Sequence, residues 1–151
     1  MTDYKKVYLD TSPFIYYLQE SKTYYDTMTC IFEEFATAET EIYTSDLTIE
    51  EYCVYPYREN RPDLIDKLDA FIDLADIKVT PTSGAIAKKA AKIRADYSSF
   101  KGMDALHLAT AAFVGCDLFL TNDKQLRQFS EIKVLTIDDI NSNSSFSFFR
   151  N

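Results

Sequence analysis

Four carboxylates stand at junctions between a strand and a helix or at the opening of a helix: Asp10, Glu51, Asp104 and Asp123. Each has an ordinary structural reading. Asp104 and Asp123 sit at helix starts, where a carboxylate caps free N–H groups and meets the positive end of the helix dipole. Thr48-x-x-Glu51 is written as a capping box. Asp10 is a strand-end residue not needed as a cap, because Ser12 supplies an N-cap ahead of Pro13 at the first helical position. Together the four read differently. Carboxylates on one rim repel and raise one another's pKa unless a cation lies between them. An oxygen-rich set suits a hard cation, Mg²⁺ or Mn²⁺. Such an ion activates water and stabilises charge on a phosphoryl group.

Whether they meet depends on the elements that carry them. Residues 101–123, KGMDALHLATAAFVGCDLFLTND, organise the chain. Ala105, Leu108, Ala109, Ala112 and Phe113 repeat at helical spacing and predict one buried face. Gly115 stops that helix, and Asp117–Thr121 follows as an almost wholly apolar run, as in a parallel strand buried on both faces. Lys6–Leu9 is the first strand, ending at Asp10, and Ile42–Thr44 and Ile77–Val79 are two more. The last strand is Ile132–Thr136. Helices are expected from Thr11, over Ser21 to about Glu39, Leu47–Arg58, Asp63–Leu74 and Ser83–Tyr97, and briefly over Lys124–Phe129.

Strands alternating with helices imply right-handed crossovers and an α/β fold, a three-layer α/β/α domain with a central parallel sheet of about five strands. Asp10 and Asp123 then lie at the carboxyl ends of adjacent central strands, where sites of open α/β sheets collect. One domain over residues 1–140 is expected, with 141–151 a tail that is either flexible or covers an apolar patch on this chain or a partner with Phe146, Phe148 and Phe149.

Composition removes other chemistries. Three glycines leave no Gly-rich phosphate loop, and His107 is the sole histidine, which disfavours Ser-His-Asp or Cys-His catalysis. Cys30, Cys53 and Cys116 are odd in number and unpaired in motif, so they read as buried thiols of a reducing compartment. No apolar run approaches a membrane span, and MTDYKKVYLD lacks a signal-peptide core; a cytoplasmic protein is expected. The net charge of −8 argues against a broad phosphate-binding surface, so any contact with nucleic acid must be local. Lys124 and Arg127 are the cations best placed for RNA contact at the strand ends; Lys88, Lys89 and Lys92 with Arg94 read as a solvated helix face. His107, one turn after Asp104, reads as a packed helix residue.

Val7-Tyr8-Leu9-Asp10-Thr11-Ser12, Ser45-Asp46-Leu47-Thr48-Ile49-Glu50-Glu51-Tyr52, Asp104-Ala105-Leu106-His107-Leu108-Ala109-Thr110-Ala111 and Phe119-Leu120-Thr121-Asn122-Asp123 resemble, in order, the four motifs of the PIN domain. The nearest pattern is that of VapC-type toxin ribonucleases, over residues about 6 to 136. Each motif alone is weak; four in order at suitable spacing are specific. The resemblance implies a metal-dependent endoribonuclease with Mg²⁺ or Mn²⁺ as cofactor, an RNA substrate, an antitoxin protein partner and a homodimer. It implies Asp10 and Asp104 as principal metal ligands and Asp123 as a ligand or holder of a metal-bound water. Glu51 would bind a second metal or orient the attacking water, and Thr11 and Asn122 would orient the acids. Glu50 adjoins Glu51; Leu47, Val54 and Tyr55 surround position 51, and Thr-x-x-Glu is the family register, which selects Glu51. The tyrosines of the first helices are where an antitoxin tail is expected. Two rivals stand beside this reading: a PIN-like module that binds RNA or protein without cutting, and a phosphotransfer domain with Asp10 as nucleophile. The second would want Asp-x-Asp at the first strand, and the chain has Ser12 there.

Overall fold

The computed structural model describes residues 3–142. The chain runs β1 (Lys6–Leu9), α1 (Thr11–Leu18), α2 (Tyr25–Thr37), β2 (Glu41–Ser45), α3 (Asp46–Arg58), α4 (Pro62–Leu74), β3 (Lys78–Thr80), α5 (Gly84–Asp96), α6 (Gly102–Phe113) and β4 (Leu118–Thr121). A 3-10 turn (Lys124–Gln128), β5 (Lys133–Thr136) and α7 (Ile137–Ser142) complete it. All strand pairings are parallel, in the order β3-β2-β1-β4-β5. The chain winds from β1 outward to β3, then crosses back beyond β1 to β4. The strand order therefore reverses between β1 and β4, and a crevice opens at their carboxyl ends.

The pleat sends alternate residues of each central strand to opposite faces. Val7, Leu9, Leu118, Leu120 and Leu135 meet Phe14, Met28, Ile31, Phe35 and Ile137 in one core. Tyr8, Phe119 and Val134 meet Ile86, Ile93, Leu108, Ala109 and Phe129 in the other. Every residue of β4 is buried, as its apolar run requires. The expected three-layer α/β fold with five parallel strands is therefore present.

Several local expectations differ. Helix α1 starts at Thr11, with Asp10 rather than Ser12 as N-cap. Its carboxylate accepts the Thr11 N–H at 2.9 Å, while the buried Ser12 hydroxyl has no hydrogen-bond partner. Pro13 is third in the helix, still among the positions whose N–H has no intrahelical acceptor, so it costs nothing there. Helix α3 starts at Asp46 after Ser45, so Thr48 lies inside it and the Thr48/Glu51 capping box does not form. Both helices follow directly on a strand, and the sharp turn places the cap at its first residue.

Helix α2 begins at Tyr25 instead of Ser21, whose hydroxyl accepts the Tyr24 N–H in a preceding turn. Phe113 is 58% exposed and outside the expected buried face, because α6 ends there and the chain is already turning toward β4. Helix α7, unread in the sequence, crosses the expected boundary at residue 140 and binds α2 through Thr27–Asn141 and Tyr24–Asp138 hydrogen bonds. Phe146, Phe148 and Phe149 lie outside the described residues. Cys53 and Cys116 are buried free thiols, Cys30 is half-buried, and burial pushes the Cys116 thiol up to about 12.

Five helices end with a residue in the left-handed region followed by a backbone bond from the next N–H to a carbonyl five residues back. These are Schellman-type ends. Only the end of α6 uses glycine, Gly115 with φ +80°; Glu20, Glu39, Asn60 and Asp76 occupy the other four. Three of these ends aim the next strand: Thr40 N–H bonds to the Phe35 carbonyl ahead of β2, Ile77 N–H to the Ile72 carbonyl ahead of β3, and Cys116 N–H to the Ala111 carbonyl ahead of β4.

Candidate active site

Asp10, Glu51, Asp104 and Asp123 line one cleft of about 580 Å³ at the carboxyl ends of β1 and β4. Thr11, Tyr16, His107, Thr121, Asn122 and Lys124 share the lining. Four different elements deliver the acids: the end of β1, α3, the first turn of α6, and the residues after β4.

The Asp10 side chain is 17% exposed, against 36% for Glu51. Its Oδ1 accepts the Thr11 N–H, and its Oδ2 accepts the Thr121 hydroxyl at 2.7 Å. Thr121 Oγ1 in turn accepts the Asp123 N–H at 3.1 Å, which ties the ends of β1 and β4 together. Glu51 Oε1 accepts from the Thr11 hydroxyl at 2.9 Å and from His107 Nε2 at 2.5 Å. Asp104 Oδ2 accepts the Lys101 N–H at 3.2 Å, and Asp123 Oδ1 accepts the Gln125 N–H at 3.0 Å. Asp10, Asp104 and Asp123 therefore do cap, as an isolated reading of each would have it. Yet Asp104, Asp123 and Glu51 each commit a single oxygen, and the other has no hydrogen bond among the described residues. Capping and ligation are compatible here.

Burial raises the pKa of Asp104; its bond to the Lys101 N–H opposes this, and the Asp123 and Asp10 carboxylates raise it further. Glu51 moves down, chiefly because His107 donates to it. Burial alone would lower the pKa of His107, but the bond to Glu51 and the charges of Asp10, Glu51 and Asp104 outweigh it and raise the value. Asp10, Glu51 and His107 each offer a ligand atom within 4.8 Å of the others. Asp104 and Asp123 line the same cleft outside that group. A carboxylate-rich set with uncommitted oxygens and mutual repulsion fits a hard divalent cation.

The remaining candidates divide. Thr11 touches Glu51. Asn122 makes no hydrogen bond to the four site acids among the described residues, unlike the orienting role expected; its Nδ2 donates to the Tyr16 hydroxyl at 2.9 Å and its Oδ1 accepts the Asp138 N–H at 2.9 Å, so it ties β4 to α1 and α7. Lys124 lines the cleft, whereas the Arg127 guanidinium pairs with Asp139 at 2.9 Å outside the lining. Glu50 is exposed and outside the cleft. Lys89 and Lys92 pair with Glu131 and Asp96, as a solvated face would.

His107 is packed, at 2% exposure, but its Nε2 reaches both Glu51 and, at 3.6 Å, Asp10. The signal in the sequence was its position three residues after Asp104, on the same helical face.

The PIN domain family model matches residues 7–132. The chain belongs to the PIN domain family. A search of curated protein sequences finds no match. Among solved structures, the chain is similar to a VapBC2 structure from Rickettsia felis bound to a DNA fragment from their promoter, with TM-score 0.68 and 14% identity over 87% of this chain and 98% of that one. It is similar to DNA-bound VapBC from Salmonella typhimurium, with TM-score 0.67 and 17% identity over 88% and 98%. It is also similar to VapC20 from Mycobacterium tuberculosis, a toxin that cleaves the sarcin-ricin loop, with TM-score 0.62 and 16% identity over 84% and 98%.

Proposed function

We propose that this chain is a divalent-metal-dependent endoribonuclease, the toxin of a VapBC-type toxin–antitoxin pair. The convergence of Asp10, Glu51, Asp104 and Asp123 from four elements on one cleft carries this reading. Membership of the PIN family and the likeness to VapBC assemblies support it.

Asp10, Asp104 and Asp123 would hold Mg²⁺ or Mn²⁺, with Glu51 beside them. When bound, the cation supplies a water of lowered pKa and positive charge against the phosphoryl oxygens. The chain's own residues set the stage for that chemistry. Thr11 and Thr121 fix the carboxylates by hydrogen bonds, and Lys124 at the cleft edge meets a backbone phosphate. Since the net charge is −8, RNA is gripped locally at this cleft. An antitoxin chain completes the assembly, a partner supported by the likeness to VapBC toxin–antitoxin structures, and a homodimer is part of the same reading. No described helix is long and apolar enough to cross a membrane.

The test is cleavage of a structured RNA pool by the purified chain with Mg²⁺, Mn²⁺ or EDTA, beside Asp104→Asn. Cutting that needs metal and disappears in the variant is expected. Cutting that persists in the variant, or a chain that binds RNA equally with and without Asp104 and never cuts, would favour a silent RNA-binding module.

A further inference from the structure

Glu51 is held from behind by a buried polar chain that reaches it through His107. Tyr8 is fully buried on β1, its ring stacked on Phe119 at 5.2 Å between centroids and 9° between planes. Its hydroxyl lies 2.7 Å from Ser45 Oγ and 2.6 Å from His107 Nδ1. The far side of the His107 ring ends at Glu51 Oε1. The route Ser45–Tyr8–His107–Glu51 thus runs from the end of β2, through the core under the sheet, into the cleft. A buried chain of this kind is costly unless every member is satisfied. Here it closes in either protonation pattern. With Nε2–H donating to Glu51, a neutral ring accepts the Tyr8 O–H at Nδ1 and the Ser45 hydroxyl donates to Tyr8. A charged ring instead donates from Nδ1 to Tyr8, which donates to Ser45.

A glutamate has three side-chain torsions, and fixing it costs rotamer freedom. Two donors from opposite elements, Thr11 on α1 and His107 on α6, converge on the single oxygen Oε1. They leave Oε2 as the uncommitted oxygen of a cleft-lining residue. Phenylalanine at position 8 with an apolar residue at position 107 would fill the same space between α6 and the sheet with two fewer buried polar side chains. The polar chain gains its use only at its exposed end.

We propose that Tyr8 and His107 are positioning residues that lock the Glu51 carboxylate with Oε2 presented to the cleft, ready for a divalent cation or its bound water. The inference rests on the metal-dependent reading of the site. Its consequence is that the cation affinity of the cleft depends on a tyrosine hydroxyl that no ligand touches.

Because His107 is the chain's one histidine, its ring nitrogens give a single set of signals in a long-range ¹H–¹⁵N spectrum of the full chain. Glu51→Gln in EDTA should move those signals, and Mg²⁺ should move them in wild type. Tyr8→Phe and His107→Gln should weaken Mg²⁺ binding, measured by calorimetry, about tenfold, the lower end for partners that orient a ligand. On cleavable RNA they should lower kcat with KM unchanged. Phe119→Leu, which loosens the same Tyr8 ring without touching the chain, separates positioning from stability: it should lower the melting temperature yet keep wild-type Mg²⁺ affinity. Mg²⁺ affinity in Tyr8→Phe and His107→Gln equal to wild type, or lowered no more than in Phe119→Leu, would overturn this inference and leave the nuclease reading intact. A wild-type chain that binds no Mg²⁺ and cuts no RNA would overturn the nuclease reading, and this inference with it.

Discussion

At the scale of the residue, the site holds like charges together, and removing one should show the strain. Asp104 is raised by burial and by its acidic neighbours. Asparagine keeps the cap to the Lys101 N–H and drops the charge. Asp104→Asn is therefore expected to raise the melting temperature in EDTA by about 2 °C, a modest gain because the site is partly open to solvent and screened. A variant less stable than wild type in EDTA would contradict mutual repulsion.

The His107–Glu51 pair sets a pH dependence in the metal-free protein. A histidine raised in the folded state contributes stability that is full below its ordinary 6.5 and is lost as pH rises through the raised value. Glu51, held low, contributes above its ordinary 4.5 and loses that contribution as pH falls through the lowered value. In EDTA, the stability gap between wild type and His107→Gln should be widest between pH 4.5 and 6.5 and shrink as pH rises through the raised histidine value. Denaturant titrations at several pH values check this, and a gap independent of pH would contradict it. Asp10, Asp104 and Asp123 were legible in the sequence because each sits at an element boundary inside a motif, and Glu51, inside α3, through its motif alone. The role of His107 was not, since its partners Tyr8 and Glu51 are 99 and 56 residues away and only the fold brings them together.

At the scale of the element, the helix ends carry stored strain that can be released. Glu20, Glu39 and Asp76 adopt left-handed backbone conformations that an L side chain resists at roughly 1–2 kcal/mol, a cost glycine escapes at some loss of chain entropy. Glu39→Gly and Asp76→Gly should each stabilise by about 0.5–1 kcal/mol in urea unfolding, while Gly115→Ala should destabilise by about 1 kcal/mol. Equal stability of all three and wild type would mean these ends do not set the helix stops. Periodicity showed the five strands and the major helices, because strand burial at period two and helix burial at 3.6 are both strong here. It misassigned the caps of α1 and α3, where Ser12 and Thr48 are the better caps in isolation but Asp10, just after β1, and Ser45, the last residue of β2, hold the cap positions. It missed α7, whose polar IDDINS carries only Ile137 and Ile140 inward.

At the scale of the whole molecule, the proposed ribonuclease reading asks an acidic chain to hold an acidic polymer. Among the described residues lining the cleft, Lys124 is the one lysine and no arginine joins it. Few phosphate contacts mean little counterion release, so log affinity for single-stranded RNA against log salt should fall with a slope of about −1, and Lys124→Ala should flatten it by about 0.7. A slope steeper than about −4 would show a broad basic surface that this chain alone does not present.

The most direct measurement of the central claim needs no substrate: calorimetric titration of Mn²⁺ into the metal-free chain and into Asp10→Asn, with melting temperatures alongside. Saturable binding is expected in wild type, with a melting temperature raised by roughly 5–10 °C at a hundred times Kd, and both effects should be lost in the variant. Absence of saturable binding, or a variant that binds Mn²⁺ as wild type does, would mean that the four carboxylates serve only as caps and hydrogen-bond acceptors.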